Sequence, residues 1–126
     1  VSNQNLLRFY PLSVIVIVRE YIKVDNLSKF MVEYQWQQQN QDFVLLDVRE
    51  DNEVQYAAIP GSIHIPMNMI PLRQNELPDD KPIVLYCHLG MRSMQVALYL
   101  QEAGFENLYN LNGGINAWSH EVDASV

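Results

Sequence analysis

The sequence has few of the residues on which several kinds of chemistry depend. Its 126 residues include one cysteine, Cys87, so no internal disulfide can form. Any zinc site would have to draw on three histidines and the carboxylates; neither a metal nor an organic cofactor is expected. Eight Lys and Arg stand against fifteen Asp and Glu, a formal charge of −7. That leaves too few cations for the basic face that a phosphate backbone requires, so no nucleic-acid partner is expected. Long apolar runs are also missing. The longest, Val14-Ile15-Val16-Ile17-Val18, falls far short of the ~20 residues that span a bilayer. Arg19-Glu20-Tyr21 follows it where a secretory signal would carry a small-residue cleavage site. The expectation is a cytoplasmic protein with no membrane partner. A phosphate loop of the G-x-x-x-x-G-K type is absent as well.

With 48% hydrophobic and 18% charged residues, the chain has the composition of one globular domain. Residues 1–18, with Asn3-Gln4-Asn5, Pro11 and the β-branched run, are unlike the rest and are expected to be an N-terminal extension, either an edge strand or outside the domain. The domain itself is expected over 19–126. Tyr21-Ile22-Lys23-Val24 suggests a short strand, and Asp25 an N-cap for a helix with Leu27, Phe30, Met31 and Tyr34 on one face. Phe43-Val44-Leu45-Leu46 and Ile83-Val84-Leu85-Tyr86 are continuous apolar runs that suit strands buried on both faces. Between them a short polar helix is expected around Asn52–Tyr56, a turn at Pro60-Gly61, a strand at Ser62–Ile65 and a helix at Pro71–Glu76. A helix over Arg92–Ala103 should stop at Gly104, followed by a strand at Leu108–Leu111, a turn at Gly113-Gly114 and a last helical turn at Ile115–Trp118. Strands alternating with helices predict an α/β fold whose mainly parallel sheet carries its site at the strands' carboxyl ends. Trp36 and Trp118 follow the packing period and are expected in the core.

Cys87 sits at such a carboxyl end, in Cys87-His88-Leu89-Gly90-Met91-Arg92-Ser93, between a buried strand and a helix. A loop entering a helix turns backbone N–H groups inward, and with the helix dipole they hold an anion. An ordinary thiol has a pKa of ~8.5, and such surroundings lower it, which makes a nucleophile. Gly90 provides the backbone freedom this requires. Arg92, the only Lys or Arg after Lys81, adds a positive charge within the loop. A lone cysteine is by itself more often a buried small hydrophobe; the strand-to-helix junction, Gly90 and Arg92 together reverse that reading.

Five motifs in order resemble those of the single-domain rhodanese-like sulfurtransferases, from about Ile22 to His120. Asp47-Val48-Arg49 resembles the family's D-x-R, and Glu53 its following acid. Ile59-Pro60-Gly61-Ser62-Ile63 with Ile65-Pro66 resembles I-P-G-A-x-x-I-P. The Cys87 segment resembles C-x-x-G-x-R-S, and Gly113-Gly114-Ile115-Asn116-Ala117-Trp118 resembles G-G-x-x-x-W. The resemblance implies a rhodanese-like sheet of about five strands with helices on both faces. It also implies Cys87 as the sulfur-carrying nucleophile, residues 88–93 as the substrate-binding loop, and Asp47 and Arg49 as structural support. The implied partner is a small sulfur-donor anion, or a thiol or protein bearing a persulfide. Where the family has Gly-His before I-P-G, this chain has Ala57-Ala58, so the contact made by that imidazole is missing.

Two other readings stay open at this point. Rhodanese-like domains also serve as non-catalytic binding or regulatory modules, usually after losing the cysteine. Cysteine-dependent phosphatases and arsenate reductases are the enzymatic alternative, but the phosphatases need C-x5-R, and here four residues separate Cys87 from Arg92. His88 either tunes the thiolate or points to solvent, His64 is expected to be structural, and His120 to be exposed.

Overall fold

The computed structural model describes residues 25–27, 42–121 and 124–126. Its centre is a five-stranded sheet in the order β1-β5-β4-β2-β3: β1 Asp25–Leu27, β2 Val44–Asp47, β3 Ile63–His64, β4 Ile83–Tyr86 and β5 Leu108–Leu111. Every neighbouring pair is parallel. The connections among the described residues hold α1 Asp51–Tyr56, α2 Ile70–Arg73 between two 3-10 turns, α3 Met91–Glu102 and α4 Gly114–Glu121.

Alternate side chains of the two central strands feed two separate cores, as a period of two requires. Leu46, Ile83 and Leu85 pack with Met94, Val96, Ala97 and Leu100 of α3. Leu45, Val84 and Tyr86 face the other way, onto Ile115 and Trp118 of α4. Burial on both faces is why these strands are continuous apolar runs. It also sets Cys87, the residue after β4, between α3 and α4.

The predicted α/β order holds, with local corrections. Asp25 and Leu27 do not open a helix: Asp25–Leu27 is β1, paired with Tyr109–Leu111. The ladder available along β5 outweighs the capping signal of Asp25, since strand preference follows from the partner and not from the residue alone. The expected strand at Tyr21–Val24, the rest of that helix and residues 1–18 lie outside the described residues. The strand at Ser62–Ile65 shortens to Ile63–His64, and the Ser62 backbone N–H donates to the Ile59 carbonyl in the turn before it instead of joining the ladder. The helix expected at Pro71–Glu76 is one α-turn flanked by 3-10 turns at Met67–Met69 and Gln74–Glu76. The last helix is longer than expected, running to Glu121.

One closed ring of hydrogen bonds fastens the Pro60-Gly61 turn to β4. The Ile59 N–H donates to Tyr86 Oη at 3.2 Å, and the Ser62 hydroxyl donates to the Ile59 carbonyl at 2.5 Å. The Ser62 proton being so used, the Tyr86 hydroxyl donates to Ser62 Oγ at 2.7 Å. Tyr86 is fully buried, and burial pushes its phenol up to about 12. Tyr86→Phe keeps the packing but leaves a buried Ile59 N–H unpaired. A loss of about 1–3 kcal/mol is expected in chemical denaturation, with a thermal midpoint several degrees lower.

Candidate active site

Cys87 leaves β4 at the carboxyl edge of the sheet and enters a loop that becomes α3 at Met91. The loop carbonyls are held from outside. The Ile115 N–H donates to the Cys87 carbonyl at 2.9 Å and the Asn116 N–H to the His88 carbonyl at 3.1 Å, both from the first turn of α4. Asn110 Nδ2 donates to the Gly90 carbonyl at 3.1 Å. A trans peptide places its carbonyl and N–H on opposite sides, so anchoring the His88 carbonyl outward turns the Leu89 N–H inward. Gly90 takes φ +103°, a conformation that side chains rarely adopt, and its N–H reaches Cys87 Sγ at 3.1 Å.

The sulfur is buried, with the thiol held below its ordinary value. Burial acts to raise it. Hydrogen bonds from the Ser93 side chain and from the backbone N–H groups of Ser93, Gly90 and Leu89 outweigh that effect. The Ser93 hydroxyl lies 3.4 Å from Sγ.

The site residues expected from sequence fall into three groups. Cys87, Gly90 and Ser93 are buried together around the sulfur, while His88, Leu89 and Met91 are exposed around it. With Arg92 and Gln95 the cysteine and the exposed residues line an open depression of about 320 Å³. His88 points to solvent. Asp47 and Arg49 lie apart, as a fully buried pair. Arg49 Nη2 donates to Asp47 Oδ2 at 2.7 Å, and its Nε and backbone N–H both donate to Oδ1 at 3.0 Å. Burial acts to lower the Arg49 pKa, but the bond and charge of Asp47 raise it on balance. Arg49 Nη2 also donates to the Ala57 carbonyl at 2.6 Å. This main-chain contact secures the segment where the family carries Gly-His, whatever side chain stands at 57. His64 is structural: its Nε2 lies 2.7 Å from the Arg49 carbonyl.

The expectation for Arg92 needs correction. Its guanidinium is not a bare positive charge beside the sulfur; Nη1 and Nη2 donate to Glu53 Oε1 and Oε2 at 2.7 and 2.8 Å. Hydrogen bonds from Arg92 are the main cause that holds Glu53 down at about 2. Sequence reading assigned Glu53 no partner because 39 positions separate the two. Asn110 was also missed, and its signal was a single polar residue within the apolar strand Leu108–Leu111. No cluster of His, Cys, Asp or Glu able to hold a metal occurs among the described residues, and no helix among them is long and apolar enough to cross a membrane.

The model of the rhodanese-like domain matches residues 31–121. The chain belongs to the rhodanese-like family. It is 40% identical over 79 residues to a sulfurtransferase of Allochromatium vinosum, covering 63% of this chain and 74% of that one. It is 40% identical over 86 residues to the thiosulfate sulfurtransferase GlpE of Pseudoalteromonas translucida, covering 68% and 82%. Among solved structures, a rhodanese-like domain protein from Staphylococcus aureus superposes with a TM-score of 0.72 at 27% identity, covering 79% of this chain and 95% of that one. In this rhodanese-like chain the G-G-x-x-x-W motif has a direct physical role. A Cβ on Gly114 would run into the carbonyls of Cys87 and His88, the two groups that α4 binds. Gly114→Ala is therefore expected to push α4 off the loop. It should lower the thermal midpoint by many degrees and slow alkylation of Cys87 at neutral pH at least tenfold, read by denaturation and by iodoacetamide kinetics.

Proposed function

We propose that this chain is a sulfurtransferase that carries sulfane sulfur as a persulfide on Cys87. The observation that carries this reading is the buried sulfur with inward N–H groups around it and a lowered pKa, at the bottom of an open depression. The Cys87 thiolate attacks the outer sulfur of a donor R–S–S⁻. The new S–S bond forms as the donor's S–S bond breaks, and RS⁻ leaves, or sulfite where the donor is thiosulfate. A thiolate or cyanide acceptor then attacks the outer sulfur of Cys87–S–S⁻, and the Cys87 thiolate leaves; the cycle is ping-pong. The negative charge stays near the same N–H groups throughout, which is preorganised stabilisation of the kind an oxyanion hole supplies. A four-residue gap between Cys87 and Arg92 leaves a bowl suited to one sulfur atom.

The surroundings of the bowl favour one kind of donor. Arg92 is neutralised by Glu53, and Leu89 and Met91 are exposed on the rim. A thiosulfate dianion meets an ion pair instead of a free cation. A persulfide on a thiol or a partner protein meets an apolar rim.

The test is intact mass after incubation with thiosulfate or an organic persulfide. The expected result is a gain of one sulfur atom, lost on adding cyanide or dithiothreitol and absent from Cys87→Ser. Failure of the protein to gain sulfur from either donor would falsify the reading. Donor preference has its own measurement. Glu53→Gln frees the Arg92 charge and should lower the KM for thiosulfate several-fold, as should Leu89→Arg, with a smaller effect on an organic persulfide, which carries one negative charge where thiosulfate carries two. Glu53 also closes the capping box of α1 by accepting from the Glu50 N–H, and the amide oxygen of glutamine can still accept that bond, so the first change leaves the helix start in place.

A further inference from the structure

Asn110 is buried, polar and set within β5. Its Nδ2 donates to the Gly90 carbonyl, and since a carbonyl can only accept, that bond fixes which end of the amide is oxygen. The amide oxygen is therefore the atom 2.5 Å from Ser93 Oγ. It has no proton to give, so the Ser93 hydroxyl is the donor. That hydroxyl has one proton, yet its oxygen also lies 3.4 Å from Cys87 Sγ. One proton cannot serve Asn110 and the sulfur together.

The charge on the sulfur decides the competition. A neutral thiol is a weak acceptor, so the nearer amide oxygen holds the proton and Ser93 turns a lone pair towards the S–H. A thiolate forms a charge-assisted bond about twice as strong as a neutral one, which draws the O–H round to the sulfur. We propose that Asn110 is a positioning residue that holds the Ser93 hydroxyl proton while the Cys87 sulfur is neutral and yields it to the sulfur when the thiolate forms. No bond to hydrogen is broken; the Ser93 O–H rotates between two acceptors. The proposal rests on and deepens the persulfide reading. As charge passes from Sγ to the outer sulfur of the persulfide, the O–H turns back to Asn110, so Sγ loses its extra donor at the moment it becomes neutral.

The charged groups nearby do not perform this switching. Arg92 on α3 is paired with Glu53 on α1, and Asp47 with Arg49 at the end of β2. His88 is exposed, the first turn of α4 carries no acidic side chain, and β5 faces the loop with Asn110 itself.

The test is the pH dependence of Cys87 alkylation by iodoacetamide in the full chain with no sulfur donor present, so its outcome is independent of whether sulfur transfer occurs. Ser93→Ala should raise the midpoint by about half a unit or more, through loss of a donor to the thiolate. Asn110→Ala frees the Ser93 proton but also removes the anchor of the Gly90 carbonyl, so its shift is compared with the shift the same change causes in Ser93→Ala. With Ser93 present, Asn110→Ala should leave the midpoint about half a unit lower than the shift seen without Ser93 would give. Equal shifts with and without Ser93, or a larger fall without it, overturn the proposal. If Asn110→Ala does not fold, the unmodified protein decides. The Asn110 side-chain amide resonances should shift with the same midpoint as alkylation, and in Ser93→Ala that shift should shrink by more than half. No shift, or an equal shift in both proteins, overturns the proposal.

Discussion

The site depends on where the loop carbonyls point. That of His88 is held from outside by the Asn116 N–H, which turns the Leu89 N–H of the same planar trans peptide to the sulfur; those of Cys87 and Gly90 are held by Ile115 and Asn110, and the left-handed turn at Gly90 brings its own N–H to Sγ. Each such bond is worth only about 1 kcal/mol net. Burying a thiolate costs several times that if its donors are unmet, so the bonds have to act together. This couples elements far apart in sequence: α4 cannot reach the carbonyls unless residue 114 lacks a Cβ, and the loop cannot turn its N–H groups inward unless α4 is there.

Two ion pairs act differently because their burial differs. Asp47–Arg49 is fully buried, with side-chain exposures of 0% and 4%. Removing one partner of such a pair costs about 3–5 kcal/mol, mostly because the other charge is left unsolvated. It ties the end of β2 to the Ala57 segment through the bond from Arg49 Nη2 to the Ala57 carbonyl. Arg92–Glu53 is partly exposed, at 35% and 27%, so its contribution to stability is discounted by solvent. Its consequence lies in the field it presents at the mouth: a cation that sequence reading would offer to the substrate is already compensated.

Much of the fold was legible because the central strands are buried on both faces. Phe43–Leu46 and Ile83–Tyr86 left an unmistakable apolar signature, and Cys87 at the end of one of them pointed to the candidate site. What sequence could not show were relations across the chain. The partner of Arg92 lies 39 positions away. The edge position of β1 depends on β5, so Asp25 looked like a helix cap. Gly113-Gly114 could be seen as a turn, but not as the place where a helix touches the carbonyls of residues 87 and 88. Asn110 was visible only as an anomaly, one amide in an apolar strand, and its meaning needed the distances to Ser93 and Gly90.

Building the cradle from neutral dipoles and compensating its one arginine suits a reaction that moves charge without changing it. In the proposed sulfur transfer the thiolate, the donor and the persulfide are all anions, so an uncompensated cation would bind all of them. Uniform binding of that kind lowers KM without lowering the barrier between bound states. N–H groups fixed by carbonyl anchors act at hydrogen-bond range, where they distinguish charge on Sγ from charge one sulfur further out. The net charge of −7 does little to disturb this, since at physiological ionic strength a Debye length of ~8 Å screens most of it from the loop. For the proposed sulfur transfer, selection among donors is then a local matter of the exposed side chains of Leu89 and Met91 and of the grip of Glu53 on Arg92.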